Sequence, residues 1–489
     1  MRNLLATIWR LRLVVLVYCV LHGITSIQHG DHVSAVAAED YDTVILNGRV
    51  MDPESELDAV CNIGISDGTI QKISTEELTG RAVIDAQGLI VSPGFIDLHE
   101  HGQVPESYRF QVRDGVTTTL ELEVGTDDVD AWYAEREGKT IINHGVSIGH
   151  IPVRMRVMND PGDFLPSGDA GQKIASEAEL EACKQGLEQG LKRGAVAVGF
   201  GIAYTAAASS WEIVEMFRVA ARYDASCHVH VRGGDPVMAL GEVIAATAVT
   251  GAPLHVVHIN SSGRRQVGHL LQIIDEARGR GMDVTTECYP YAAGMTSIES
   301  ALFDWWKDAP EDIFSRFQWV ATGERLTKES FGRYREKGGF VIIHSNTDAH
   351  VRTAVLNPLT MIASDGIAFQ DGKSHPRSSG TYARILGRYV REMKALNLMD
   401  ALRKMTLMPA QRLEHRVPMM KNKGRIRVGA DADLTIFDAE RVIDKSTYED
   451  SARYSEGIEY VLVNGIAVVK EGQLQIGVAP GQPVRAPIQ

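Results

Sequence analysis

The chain has 489 residues, of which 44% are hydrophobic, 7% aromatic and 23% charged. This composition is typical of a soluble globular protein and excludes the disordered, collagen-like and coiled-coil classes. The 50 lysines and arginines are outnumbered by 63 acidic residues, and the formal net charge of -13 without basic clusters argues against a nucleic-acid partner.

The first 38 residues have the pattern of a secretory signal. Arginines precede an apolar stretch over residues 13–21, and the small residues Ala35, Val36 and Ala37 follow it. This predicts a signal peptide over residues 1–38 and a periplasmic or secreted protein. Because the apolar stretch is shorter than the roughly 20 residues of a membrane span, we expect no stable membrane insertion after signal removal. An uncleaved N-terminal anchor is the alternative.

The two ends of the remaining chain share a β texture. Residues 39–93 and 421–489 contain short alternating or β-branched runs broken by turn dipeptides. Asn47-Gly48, Asp67-Gly68 and Asn464-Gly465 are hairpin signals. We expect both ends to build one small β-sandwich domain.

Between these ends, residues 94–420 alternate strand-length apolar runs with helix-length amphipathic segments. Repeated βα units predict a parallel sheet, and closure into a (β/α)8 TIM-type barrel is the commonest solution. An open doubly wound sheet is the alternative, although no glycine-rich phosphate loop follows an early strand. Residues 291–337 have weak periodicity and are expected to form an excursion over the barrel mouth.

Histidines and carboxylates recur at the ends of the predicted strands. His99 and His101 share a face of the first barrel strand because alternate strand residues point the same way. Glu121 and Glu123 share a face in the next strand, where a buried charge is costly unless it is paired or binds a metal. The HxH pair alone is a weak signal, but the two features together favour a metal site.

Three later strand ends extend this set. His230, His258 and Asp365 follow predicted strands in the second half of the barrel. Histidine nitrogens and carboxylate oxygens are donors that suit Zn²⁺, with Mn²⁺ or Co²⁺ as substitutes. The sequence therefore predicts a hydrolytic centre with one or two metal ions.

Several motifs in a specific order carry a family resemblance over nearly the whole chain after the predicted signal. They are the PGFIDLHEH segment at 93–101, GVTT at 115–118, HVR at 230–232, VH at 257–258, YPY at 289–291, SDG at 364–366, HPR at 375–377 and GADADL at 429–434. With these motifs the chain resembles the amidohydrolase superfamily and, within it, the D-aminoacylase (N-acyl-D-amino-acid deacylase) branch.

The resemblance implies roles for the ligand set. His99 and His101 are expected to line the more exposed metal position, and His230 and His258 the tighter one. Asp365 resembles both a ligand and the general base, which takes a proton from the attacking water and passes it to the leaving amine.

The resemblance also implies which residues contact the substrate. Either Tyr289 or Tyr291 resembles the family's tyrosine near the scissile carbonyl. Arg377 looks like the group that receives the amino-acid carboxylate, because its planar guanidinium fits a carboxylate fork. Arg232 and His375 are further candidates for substrate contact.

Three positions depart from the family pattern. The cysteine ligand usual at the end of the second strand is absent, and Glu123 is expected to replace it because it lies nearer the strand end than Glu121. Gln103 stands where an aspartate commonly follows the HxH pair. Asn260 replaces a lysine that binds carboxylate, so we expect it at the substrate but without that charge.

The function predicted from these residues is hydrolysis of the linear amide of an N-acyl-D-amino acid, a small-molecule substrate. An amidohydrolase-type dipeptidase remains open. A cyclic-amide hydrolase acting on hydantoins or dihydropyrimidines would be expected to carry a carbamylated lysine at a strand end, and none stands there. A non-catalytic binding protein is disfavoured by the intact ligand set. Assembly into an oligomer is left open.

Overall fold

The strands of the chain fall into three sheets in the computed structural model, which describes residues 40–489. In chain order the strands are β1 (Asp40–Asp52), β2 (Leu57–Ser66), β3 (Thr69–Ser74), β4 (Thr79–Asp85), β5 (Ile90–Pro93), β6 (Phe95–Asp97), β7 (Val116–Thr126), β8 (Asn143–Gly149), β9 (Val198–Gly201), β10 (Cys227–His230), β11 (Leu254–Val256), β12 (Val284–Cys288), β13 (Gly294–Ser297), β14 (Phe317–Trp319), β15 (Phe340–Ile343), β16 (Thr360–Ile362), β17 (Leu434–Phe437), β18 (Ile458–Val463), β19 (Ile466–Lys470) and β20 (Gln473–Leu474). The predicted signal peptide lies outside the described residues.

Helices occupy most of the connections between the barrel strands. They are α1 (Pro105–Arg113), α2 (Val129–Arg136), α3 (His150–Met158), α4 (Asp169–Gln172), α5 (Glu177–Lys192), α6 (Ser210–Ala221), α7 (Pro236–Thr250), α8 (Ile259–Gly263), α9 (Val267–Gly279), α10 (Lys328–Lys337), α11 (Asp348–Leu356), α12 (Arg377–Arg384), α13 (Leu398–Met405) and α14 (Leu407–Leu413). Short 3₁₀ segments lie at Arg264–Gln266, Ala301–Asp308, Glu311–Arg316 and Pro418–Asn422, and a π-helical turn at Ile385–Glu392. No helix in this part of the chain is both long and apolar enough to cross a membrane.

The barrel sheet contains eight parallel strands, β6 to β12 and β16, which neighbour one another in chain order. Its two edges meet where Glu100 forms a parallel bridge with Gly366 and the His101 N–H donates to the Gly366 carbonyl at 2.8 Å. The strands read as continuous buried runs because helices cover one face and side chains fill the other. This confirms the predicted (β/α)8 barrel.

The two chain ends meet in one nine-stranded sheet, as predicted. β17 pairs with β5 antiparallel, and this contact joins the C-terminal strands to the N-terminal ones. The apolar side of the sheet is a cluster of fully buried side chains that includes Ile45, Ile63, Leu434 and Leu462.

Two of the three predicted hairpin turns in this sheet are confirmed, and one is not. Asp67-Gly68 and Asn464-Gly465 connect paired strands with positive φ at both residues, as a tight hairpin turn requires. The hairpin prediction for Asn47-Gly48 is wrong, because this dipeptide lies inside β1, where the register shifts between Ile45 and Gly48. Asn47 has φ 61, so the dipeptide makes a bulge and not a hairpin.

The segment that follows β12 forms a small antiparallel sheet of β13, β15 and β14 with α10 beside it. An aromatic core that includes Phe303, Phe314 and Phe331 holds this unit together. Met295 and Thr296 line the same cavity as the barrel-end histidines described below. The segment therefore contributes a wall at the mouth of the barrel.

A buried ion pair ties the chain-end sheet to the barrel. Lys423 Nζ lies 2.6 Å from Asp433 Oδ2 and 2.9 Å from Asp431 Oδ2. The Asp433 carboxylate also accepts hydrogen bonds from Asn143 of β8 and from the backbone N–H of Asn464. One carboxylate therefore connects both parts of the fold.

We expect Lys423→Met to lower the free energy of unfolding by about 3–5 kcal/mol, because it leaves the buried Asp433 carboxylate without its cation. Chemical denaturation measures the change. Lys421→Met, at an exposed position in the same segment, serves as the control and should change stability by less than about 0.5 kcal/mol. Equal losses in both variants would contradict the role given to the ion pair.

Candidate metal centre

Four side chains converge at the carboxyl-end side of the barrel. His99 and His101 follow β6, Asp365 follows β16, and Glu123 lies within β7 near its end. His99 Nε2 lies 3.1 Å from His101 Nε2, 2.7 Å from Glu123 Oε2 and 3.5 Å from Asp365 Oδ1. His101 Nε2 lies 3.6 Å from the same Asp365 oxygen. One atom from each of the four residues can therefore reach a single metal ion. We refer to this group as the first metal position.

A second group adjoins it. His230 Nδ1 lies 3.1 Å from Glu123 Oε1 and 3.1 Å from His258 Nε2. His258 follows β11 with φ 34 and ψ 57, a left-handed conformation that is costly for a histidine and typical of functional sites. Glu123 thus belongs to both groups through its two oxygens, which is the placement of a carboxylate that bridges two ions.

Which ring nitrogen carries the hydrogen in His99 and His101 decides whether a metal ion fits the first position. His99 Nδ1 lies 2.6 Å from Glu287, and His101 Nδ1 lies 2.6 Å from Glu121. Because a carboxylate accepts, each Nδ1 carries its hydrogen, and the two Nε2 atoms face each other with lone pairs. Such a pair at 3.1 Å requires a cation between the rings, either a proton or a metal ion. The donor set fits Zn²⁺, Mn²⁺ or Co²⁺.

The charges around the centre favour a cation. Although burial opposes a charge on His101, the carboxylates of Glu121 and Asp365 raise its pKa to about 10. Despite burial, His230 and His99 hold the pKa of Glu123 well below its ordinary value. A metal ion that binds here replaces protons, so its affinity falls on acidification.

Sequence reasoning missed the carboxylate that orients His99. Glu287, at the end of β12, is fully buried and contacts His99 Nδ1 through one oxygen and His255 Nε2, at 3.0 Å, through the other. His255 is fixed in turn by Thr285 Oγ1 at 2.8 Å. The available signal was a lone glutamate inside the strand-like run at 284–288, where an unpaired charge is costly. Glu121 has the same orienting role toward His101.

We expect Glu287→Gln to weaken metal binding by about 10–100-fold, because the amide cannot accept from both histidines at once. Competition with a chromophoric chelator measures the dissociation constant. Glu242→Gln is the control, because Glu242 pairs with Arg232 and contacts no ligand. Unchanged affinity in Glu287→Gln would exclude the orienting role.

A cavity of about 600 Å³ opens over the two metal positions. Within it, Arg377 Nη1 lies 2.8 Å from Asp365 Oδ2, and its guanidinium carbon lies 4.6 Å from the centre of the Tyr289 ring. Burial opposes ionisation, but Arg377 and His99 lower the pKa of Asp365 below its ordinary value. Asp365 is therefore a buried, ionised carboxylate that can accept a proton at the base of the cavity.

The structure separates the two candidate tyrosines. Tyr289 lines the cavity, whereas Tyr291 lies outside it and its hydroxyl donates to Asp444 at 3.1 Å. Both tyrosines follow the end of β12 at Cys288, so strand alternation does not set the directions of their side chains.

Two further residues predicted to contact the substrate lie outside the cavity lining. His375 is fully buried, lies outside the cavity lining, and its Nδ1 accepts from the Arg377 N–H. Asn260 is fully buried and its amide donates to the Tyr289 carbonyl. Both residues therefore contact residues of the cavity lining from behind it.

The remaining predicted residues occupy the following places. Arg232 lines the cavity, but Glu242 compensates its charge through contacts at 2.8 and 2.9 Å. Gln103 is buried beneath the loop after His101, where it donates to the Glu100 carbonyl and to Thr119. The glutamine therefore supports the loop and does not contact a metal position.

The known proteins to which the chain is similar are amidohydrolases. The model of the Amidohydrolase family matches residues 159–469. The N-acyl-D-glutamate deacylase of Alcaligenes xylosoxydans xylosoxydans is 30% identical, with 88% of this chain and 94% of the relative covered. The D-aminoacylase of the same organism is 26% identical, with 89% and 96% covered. A crystal structure of N-acyl-D-glutamate deacylase from Bordetella bronchiseptica, with zinc and a phosphonate inhibitor, matches with a TM-score of 0.80 and 27% identity over 92% of this chain and 100% of that one.

Proposed function

The chain belongs to the amidohydrolase family, and from this premise we propose that it is a metal-dependent N-acyl-D-amino-acid deacylase. It cleaves a linear amide to a carboxylate and a D-amino acid. The observation that carries the proposal is the bridging position of Glu123 between two groups of ligands, beside an ionised Asp365 in one cavity. The names of the deacylase relatives support the D-amino acid as the product.

The ligand groups define where the cofactor would lie. His99, His101, Glu123 and Asp365 would hold one ion, and Glu123, His230 and His258 the other. Zinc, which accompanies the Bordetella bronchiseptica relative, fits these donors, and Mn²⁺ or Co²⁺ could substitute. When bound, such ions lower the pKa of water toward ~7 and polarise the scissile carbonyl.

Asp365 moves the proton. Its Oδ2 is engaged by Arg377, so Oδ1 remains toward the histidines and is placed to accept a proton from the attacking water. The same oxygen then returns the proton to the leaving amine nitrogen. Arg377 keeps this carboxylate ionised and fixes its orientation.

Tyr289 and Arg377 hold the substrate. Burial raises the pKa of Tyr289, so its hydroxyl stays protonated and can donate to the developing negative charge on the carbonyl oxygen. Arg377 Nε is buried without a hydrogen-bond partner among residues 40–489, which leaves it available for the substrate α-carboxylate. The α-carboxylate is thereby placed next to the general base.

The cavity argues against a cyclic-amide substrate. Among the described residues that line it there is no lysine, and Glu123 takes the shared position between the two ligand groups. A carbamylated lysine is therefore not required to bring two ions together. The substrate panel below distinguishes a dipeptidase from a deacylase.

A substrate panel tests the function. The purified protein, loaded with zinc, is incubated with matched N-acetyl-D- and N-acetyl-L-amino acids, dipeptides and a hydantoin, and free amino groups or ring opening are measured. We expect release from the D-isomers alone. Faster cleavage of dipeptides, L-isomers or the hydantoin would overturn the assignment.

We also propose that the enzyme is exported. The support is the arginine-led apolar stretch at residues 13–21 followed by small residues at 35–37. Fractionation and mass spectrometry of the mature N-terminus test this proposal. We expect an extracytoplasmic protein cleaved near residue 38, and an intact N-terminus in the membrane fraction would instead establish an anchor.

A further inference from the structure

Two arginines without a partner stand at the mouth of the cavity. Arg264 and Arg265 line it, and the side chain of neither has a hydrogen bond or an ion pair with any residue of 40–489. The other two arginines of the lining, Arg232 and Arg377, are each paired with a carboxylate. Arg264 and Arg265 are therefore the uncompensated cations of the described lining, in a protein with a net charge of -13.

The backbone holds this pair in an unusual conformation. Arg264 has φ 45 and ψ -123 at the start of the turn that connects α8 to α9. An L-residue in this region is strained, and such strain is typical of ligand sites. Both arginines are solvent-exposed and line the rim of the cavity.

The Arg264 guanidinium is partly buried and is repelled by the positive charge of Arg316. Neighbouring groups partly desolvate its guanidinium, and together with the charge of Arg316 they lower its pKa. The Arg316 side chain donates to the carbonyl of Ile313 and has no ion pair among residues 40–489, so it brings no anion to offset the repulsion. An anion bound between these guanidinium groups would relieve it.

The residues at the floor of the cavity and the arginines at its rim are placed for different groups of the substrate. Asn260, two residues after His258, is buried and its amide donates to the Tyr289 carbonyl. The loop supplies its positive charge four and five residues later, farther toward the mouth. Arg377 at the floor is placed for the α-carboxylate, so the rim arginines can reach a group beyond it.

We propose that Arg264 and Arg265 form a second anion-binding subsite, and that the substrate carries a second carboxylate in addition to its α-carboxylate. This inference rests on the proposed deacylase function. The second carboxylate belongs either to the amino-acid side chain or to the acyl group, and both sources have the same chemistry at the rim.

Isosteric pairs of substrates test the subsite and distinguish the sources. N-acetyl-D-glutamate is compared with N-acetyl-D-glutamine, and N-succinyl-D-alanine with N-succinamoyl-D-alanine. In one pair we expect kcat/KM to favour the acid by at least about 30-fold, with the preference falling as ionic strength rises. The pair that shows the preference identifies the source of the carboxylate.

Variants locate the preference. The double variant Arg264→Gln/Arg265→Gln should lower the acid-to-amide ratio by at least about tenfold. Arg280→Gln, which removes one positive charge just beyond the far end of α9, is the control and should keep the ratio within about twofold. An unchanged ratio in the double variant overturns the subsite.

Failure of the two proposals gives different results. Turnover of the neutral D-amides without preference for either acid overturns the subsite and leaves the deacylase function in place. If no D-amide is cleaved, the deacylase function fails, and calorimetric binding of glutarate against glutaramate decides the subsite separately. Glutarate binding that is weakened in the double variant supports it, and equal binding to wild type and variant overturns it.

Discussion

Replacement of Asp365 by asparagine is expected to lower kcat for an N-acyl-D-amino acid by about 10³-fold or more. Asparagine preserves the size of the side chain and the positive-φ backbone, here φ 51, but it cannot accept the proton from water or return it to the amine. Stopped-time assays of amino-acid release measure the loss, and elemental analysis measures the metal content of the same sample.

The metal content separates a lost base from a lost site. The group of Glu123, His230 and His258 lacks Asp365, so the variant should still bind at least one ion. Asp371→Asn, an exposed change of the same kind in the same loop at φ 50, is the control and should retain activity. A kcat of Asp365→Asn within about tenfold of wild type would exclude Asp365 as the proton carrier.

Replacement of Glu123 by alanine is expected to have an effect of similar size through a different cause. Glu123 offers one oxygen to each ligand group, so its removal deprives both positions at once. It also leaves His99 and His230 without a buried carboxylate that they contact at 2.7 and 3.1 Å. We expect the metal content to fall from two ions to less than one per chain, with kcat lowered by at least about 10³-fold.

The cysteine usual in the resembling family provides the matched comparison. A thiolate at position 123 is a good zinc ligand, so Glu123→Cys should recover at least one tightly bound ion that Glu123→Ala has lost. If Glu123→Ala instead retains two ions, the bridging role is wrong. Glu121 would then be the residue to examine, since it lies on the same strand and contacts His101.

The parts of the fold and site that follow local rules could be predicted from the sequence. Alternation of buried strands with amphipathic helices indicated the barrel. The side chains of His99 and His101 meet, as the HxH spacing suggested, although both residues follow the end of β6 at Asp97. These signals survive because a parallel strand covered on both sides has a characteristic apolar run and a fixed side-chain period.

The parts that depend on long-range contacts could not be predicted. Asn47-Gly48 has the local chemistry of a hairpin, but β1 continues through it because β2, β4 and β5 pair along its length. Tyr291 follows the end of its strand, and Asp444, 153 residues away, decides where its hydroxyl points. The orienting role of Glu287 depends on its contact with His99, which is 188 residues away in the sequence, so no local pattern predicts it.

The most direct test of the central claim is one titration of zinc into chelator-treated protein, followed by release from an N-acetyl-D-amino acid and its L-enantiomer. The account predicts that removal of metal abolishes release, that zinc restores it, and that the restored activity acts on the D-enantiomer alone. Full activity in the metal-free protein, or equal release from the L-enantiomer, would contradict it.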